Sequence, residues 1–128
     1  MYNKILVVEI LQQILEATHK VLARFEPIED PDDFNGSPEG MEKLDAICMQ
    51  IIAIGESLKN IDKITQGELF PRYSGIDWKG VKGMRDIISH HYFDIDAEEI
   101  FYTCKHQIRP LSETIKKILE DLRSGNGK

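Results

Sequence analysis

The chain has little of what several common protein classes require. Only two of its 128 residues are cysteine, Cys48 and Cys104. Both fall on apolar positions of helical patterns, as two buried free thiols would, and without paired Cys or His ligands they make no zinc site. No hydrophobic run approaches the roughly 20 residues of a membrane span. Positive charge is not in excess either: the net charge of −6 argues against a protein that coats nucleic acid non-specifically. The first residues, Met1-Tyr2-Asn3-Lys4-Ile5, enter a helical pattern directly, without the charged region, apolar region and cleavage site of a signal peptide. The chain therefore reads as cytoplasmic. Alternating β patterns of useful length, internal repeats and low-complexity tracts are also missing.

What is present is helical periodicity. With 41% hydrophobic and 30% charged residues, the composition is that of a globular protein large enough for one ordinary core. In residues 2–25, Leu11, Ile14, Thr18, Val21, Leu22 and Phe25 recur at three- and four-residue spacing, one apolar stripe of a long amphipathic helix. Residues 26–40 hold three prolines and two glycines among acids, a loop within one domain. Ser37 before Pro38 marks a helix start. A second long helix is expected over 38–61, with Leu44, Ile47, Cys48, Ile51, Ile52, Gly55 and Leu58 on its core face. Residues 62–76 read as another loop. Asp77 is placed to cap a short helix over about 78–90. Asp96 with Glu99 resembles a capping box for a last helix, whose stripe runs from Ile100 through Cys104, Ile108, Leu111, Ile115 and Ile118 to Leu122. Pro110 should kink or restart that helix. Gly125 is a stop. The expected architecture is an all-α antiparallel bundle of four to five helices, one domain over 1–124, with 125–128 as a flexible tail.

Charge is unevenly distributed along the chain. Residues 1–58 carry 4 basic and 11 acidic side chains, residues 59–92 carry 6 and 4, and residues 93–128 carry 6 and 7. The one positive stretch contains Arg85-Asp86-Ile87-Ile88-Ser89-His90-His91-Tyr92. A guanidinium grips phosphate in a planar fork and keeps its charge. An imidazole can take up and return a proton near neutrality. RNA cleavage needs little more, because the substrate's own 2′-OH is the nucleophile. Lys79, Lys82 and Arg85, spaced by three, would form a phosphate-binding edge. Taken bare, the same pattern fits a surface cation and a histidine near a helix C-terminus, where His⁺ interacts well with the helix dipole.

Residues five apart on an α-helix point about 140° away from each other. Arg85 and His90 can therefore converge only if the helix ends near Ser89, or if two copies of the chain bring their motifs together about a two-fold axis. The second way is preferred, with Ile54 and Ile61, off the main stripe, as surface to spare for an interface. Glu56, a carboxylate in an apolar helix, calls for a basic partner, for example Arg85. Trp78 reads as a packing anchor rather than an RNA-stacking surface. His19 and His106 read as ordinary surface residues. His90, His91 and Asp94 match no known metal-ligand spacing.

Several of these segments occur in an order that resembles a known family. Ile54-Gly55-Glu56, then Ile76-Asp77-Trp78-Lys79-Gly80-Val81-Lys82-Gly83-Met84-Arg85-Asp86, then His90-His91-Tyr92-Phe93-Asp94-Ile95-Asp96 resemble the HepT group of the HEPN superfamily. Asp32-Asp33-Phe34 resembles that family's turn after the first helix, and the likeness runs from about residue 2 to 122. It implies an all-helical homodimer acting on RNA as a metal-independent endoribonuclease toxin, with no cofactor. It also implies a partner, a minimal nucleotidyltransferase that silences the toxin by adenylylating the motif tyrosine. Carried over, Arg85 and His90 are the catalytic pair and Tyr92 the modification site; from the residues themselves, Glu56, Asp86 and His91 are read as supporting and Lys79 and Lys82 as meeting the RNA phosphates. Asp86 stands where many relatives have Asn, which adds a negative charge beside the substrate. The competing expectation is a non-catalytic subunit that binds a nucleotide or the nucleotidyltransferase.

Overall fold

The computed structural model describes residues 2–90 and 92–125, the side chain of Tyr92 excepted. Residues 126–128, most of the expected tail, lie outside this range. Among the described residues all regular structure is helical: α1 (Lys4–Phe25), α2 (Asp32–Asn35), α3 (Pro38–Thr65), α4 (Trp78–His90), α5 (Ala97–His106) and α6 (Ile108–Arg123), with 3-10 turns at Phe70–Arg72 and Tyr92–Asp94. None of these helices is long and apolar enough to cross a membrane.

Local chemistry accounts for most of the boundaries. Asn3 accepts from the Leu6 amide at 3.1 Å, Ser37 from Gly40 at 3.0 Å and Asp77 from Gly80 at 3.0 Å, each satisfying a donor that the first turn leaves unpaired. Asp96 accepts from Glu98 at 2.9 Å. Among the described residues Glu99 makes no reciprocal bond, so this cap is one-sided. The last long stripe divides in two. Pro110 has no amide to give to the His106 carbonyl and its ring crowds that oxygen, so α5 ends at His106 and α6 restarts at Ile108.

Two loops hold more structure than their composition signals. Within 26–40, Phe34 is fully buried and anchors the one-turn α2. Asp33 steadies the approach by accepting from the Glu29 amide at 2.7 Å. The helix expected to stop at 61 continues to Thr65, because Ile61 and Thr65 extend the buried stripe through a polar stretch. It ends at Gln66, in the left-handed region at φ 56°, where the Gly67 amide returns to the Asp62 carbonyl at 2.8 Å.

The core lies between α1, α3 and α6, where Leu11, Ile14 and Val21 of α1, Ile47, Ile51 and Leu58 of α3, and Leu111, Ile115 and Ile118 of α6 are buried in one cluster. The reading of Ile54 and Ile61 as spare surface is corrected: both are buried inside the protomer. Helix α3 is covered by α1 on one side and α4 on another, so it needs apolar residues on more than one face.

The stretch from Gln66 to Asp77 sets the start of α4. Phe70 is buried and stacks on Trp78 at a centroid distance of 4.3 Å and 20° between planes. The Trp78 indole donates to the Tyr73 carbonyl at 2.8 Å, and the Tyr73 hydroxyl donates to Asp121 on α6 at 2.7 Å. Trp78 is thus a packing residue. Burial first, then the bond to Asp121, pushes the Tyr73 phenol up to about 12.

Candidate active site

Helix α4 carries the motif, and α3 supports it. The two helices approach closely at Gly55: a Cβ there would lie 2.8 Å from Arg85 Cβ and 3.3 Å from the Lys82 carbonyl oxygen. No larger residue fits at this crossing without moving α4. The close approach lays the root of the Arg85 side chain on α3, beside Glu56.

Arg85 is held from two sides. Its Nη1 donates to Asp86 Oδ1 at 2.8 Å. Its Nε is shut off from solvent and meets Glu56 Oε1 as an ion pair, off the line of a good hydrogen bond. The bond to Asp86, followed by the charge of Glu56, raises the affinity of the guanidinium for its proton. The same bond lowers Asp86, and Lys59 adds to the effect from 3.4 Å. Two carboxylates and two cations therefore form one linked cluster across α3 and α4. These groups are 36 to 53% exposed, so solvent screens much of their interaction. The cluster orients the guanidinium more than it stabilises the fold. Arg85 is left part-exposed, with its plane set by the two carboxylates.

The other residues of the motif are placed as follows. His90 is exposed at the end of α4, and the helix is unbroken from Arg85 to it. Helix α4 thus ends one residue past Ser89, and both routes to convergence, the helix end and the two-fold pairing of two copies, stand. Within one protomer the two side chains leave α4 about 140° apart. Tyr92 opens the 3-10 turn that follows α4; its side chain and all of His91 lie outside the described residues. Lys82 is taken up in an ion pair with Asp62 of α3. Lys79 is exposed and has no ion pair among the described residues. The three cations at 79, 82 and 85 thus differ in availability, although they sit on neighbouring turns. Among the described residues no group of three or more His, Cys, Asp or Glu side chains is arranged to hold a metal ion.

Lys59, Asn60 and Lys63 escaped the sequence reading. They line a groove of about 430 Å³ on α3 together with Glu56 and Ser57. Lys59 and Lys63 were visible only as part of the positive segment. The Lys59–Asp86 contact spans 27 residues of chain, which helical spacing does not reveal.

The chain is 33% identical over 75 residues to "Putative RNase MJ0125" of Methanocaldococcus jannaschii, a match covering 59% of this chain and 60% of that protein. It is 36% identical over 75 residues to "Putative RNase TTE0752" of Caldanaerobacter subterraneus subsp. tengcongensis, covering 59% of this chain and 63% of that one. With "Gamma-glutamylcyclotransferase and putative RNase MJ0434", also of M. jannaschii, it shares 37% of 78 residues, covering 61% of this chain and 33% of the longer protein. The chain thus spans less than two thirds of the length of each of these relatives. No solved structure matches it significantly. The family model "Ribonuclease HepT-like" matches residues 9–118, which include α3, the Gly55 crossing and the whole Arg85–Tyr92 motif. On that match the chain belongs to the HepT-like ribonuclease family.

Proposed function

We propose that this protein is a metal-independent endoribonuclease whose site is completed by a second copy of the chain. The observation that carries this reading is the course of α4. Arg85 is held against α3 by two carboxylates, His90 is exposed as the last residue of the same helix, and helical spacing sets the two positions about 140° apart around α4. A two-fold axis near the end of α4 would bring two Arg85 and two His90 into one groove, because an isologous interface sets like patches face to face.

The chemistry follows from those groups. One His90 accepts the proton of a ribose 2′-OH as its oxygen bonds to the adjacent phosphorus. The P–O5′ bond breaks, and the other His90 protonates the departing 5′-oxygen. The products are a 2′,3′-cyclic phosphate and a 5′-hydroxyl, with no water consumed. Arg85 holds the phosphate and offsets the charge that builds on its oxygens. Glu56 and Asp86 set the guanidinium plane, and Lys79 lies free for a flanking phosphate.

The protein acts as the toxin of a pair whose antitoxin is a minimal nucleotidyltransferase. Adenylylation of Tyr92, two residues from His90, adds bulk and negative charge at the groove and silences it. A second reading, a non-catalytic subunit binding a nucleotide or the nucleotidyltransferase, draws support from the engagement of Arg85 by two carboxylates.

The two readings part in one assay. Purified protein is incubated with RNA in EDTA, wild type beside His90→Ala and Arg85→Ala. Cleavage that persists in EDTA and vanishes in both variants establishes the enzyme. Intact RNA with folded wild type whose Tyr92 is shown by mass spectrometry to be unmodified refutes it in favour of the binding subunit.

A further inference from the structure

The groove on α3 next to Arg85 has the chemistry of an anion site. Positions 56, 59, 60 and 63 are three and four residues apart and share the outward face of α3. They place two ammonium groups and an amide in one groove, which Ser57 and the Glu56 carboxylate also line, the latter with Arg85 as its counter-charge. One of these ammonium groups already meets an anion. Asp86 bridges Arg85 Nη1 at 2.8 Å and Lys59 Nζ at 3.4 Å, so the two cations converge on a single carboxylate. One turn further along α3, Lys63 is exposed and has no ion pair among the described residues. A phosphodiester carries the same charge as that carboxylate and offers two unesterified oxygens to the same donors.

Resting on the reading of the protein as an RNA-cleaving enzyme, we propose that Lys59, Asn60 and Lys63 form a second phosphate subsite. It binds the phosphodiester next to the scissile one, and Asp86 is the internal counter-ion that the RNA displaces. The contacts are to backbone phosphate, so the subsite adds affinity without base preference. It also gives Asp86 a purpose: the carboxylate keeps Arg85 and Lys59 aligned while the groove is empty, and lowers affinity for RNA by competing for the same donors.

The test uses binding, so that it stands apart from cleavage. A short fluorescein-labelled single-stranded RNA with 2′-O-methyl groups throughout cannot be cut, and its affinity is read by fluorescence anisotropy over a range of salt. Lys63→Ala and Lys59→Ala should each weaken binding about threefold, equally on RNAs of different base composition. Each should also flatten the slope of log affinity against log salt by about 0.7, the loss of one phosphate contact on a single strand. Lys116→Ala on α6 serves as the control and should bind as wild type does. Asp86→Asn should tighten binding about threefold; unchanged or weaker binding overturns the counter-ion role. Lysine variants that keep wild-type affinity and slope, or a wild type that does not bind this RNA, overturn the subsite. Loss of binding in the lysine variants with no cleavage by wild type leaves the subsite standing and removes only the nuclease reading. Cleavage with unaltered binding in the lysine variants removes only the subsite.

Discussion

Gly55 and Gly83 allow one substitution to be tested with opposite signs. Both lie inside α-helices, α3 and α4, where replacing glycine by alanine gains about 0.8–1.0 kcal/mol in helix propensity. At Gly83 a Cβ would meet nothing within 4 Å, so Gly83→Ala should keep that gain. At Gly55 it would stand 2.8 Å from Arg85 Cβ. That atom is the root of its side chain and cannot swing aside, so α4 must shift. Overpacking of this kind costs about 1–3 kcal/mol. Propensity cancels between the two variants, and the difference in stability reports the packing cost alone. For a chain of this size each kcal/mol moves the melting temperature by about 3–4 °C. Gly55→Ala should therefore melt about 3–12 °C below Gly83→Ala when circular dichroism is followed at equal protein concentration and salt. The displaced α4 carries Arg85 with it, and a misplacement of about 1 Å can cost on the order of 100-fold in rate. RNA cleavage at 25 °C, where both variants are folded, should fall by about that factor in Gly55→Ala only. Coincident melting temperatures would refute the close-approach argument. A lower melting temperature with full activity would show that the helix crossing does not position Arg85.

Two further expectations concern titration. The Tyr73 phenol is raised to about 12, above its usual 10, by burial and then by the bond to Asp121. A group whose folded pKa is raised contributes stability that is complete below pH 10 and is lost as pH rises toward 12. Wild type should lose urea resistance over that window, and Tyr73→Phe should show less of the loss; parallel pH profiles would contradict the assignment. Burial, followed by the charge of Asp45 for Cys48 and by the neighbouring Cys48 for Cys104, pushes both thiols up to about 12. Neither should react with iodoacetamide at pH 8 in the native protein, and both should react in denaturant; rapid native alkylation would contradict their burial.

The sequence by itself determined the elements that depend on neighbours along the chain. The caps at Ser37 and Asp77 and the restart forced by Pro110 are short-range steric and hydrogen-bonding events, complete within a few residues. The stripe of α1 could likewise be read from spacing alone. Where polar residues carried a buried stripe onward, as at Ile61 and Thr65, composition pointed to a loop and packing extended the helix. Phe34 in α2 is the converse, one buried aromatic organising an otherwise loop-like segment. The same limit applies to the site. Sequence marked Arg85 and His90 and named Glu56, a carboxylate in an apolar helix, as seeking a basic partner such as Arg85; the pair does form, but on the exposed face of α3 rather than on a buried one. Sequence could not assign Lys82 to Asp62, or place Lys59 against Asp86, or bury Ile54 and Ile61. Those outcomes depend on how α3 and α4 cross at Gly55. The crossing is set by shape complementarity between residues 30 positions apart, a property of the packed chain rather than of any short stretch of it.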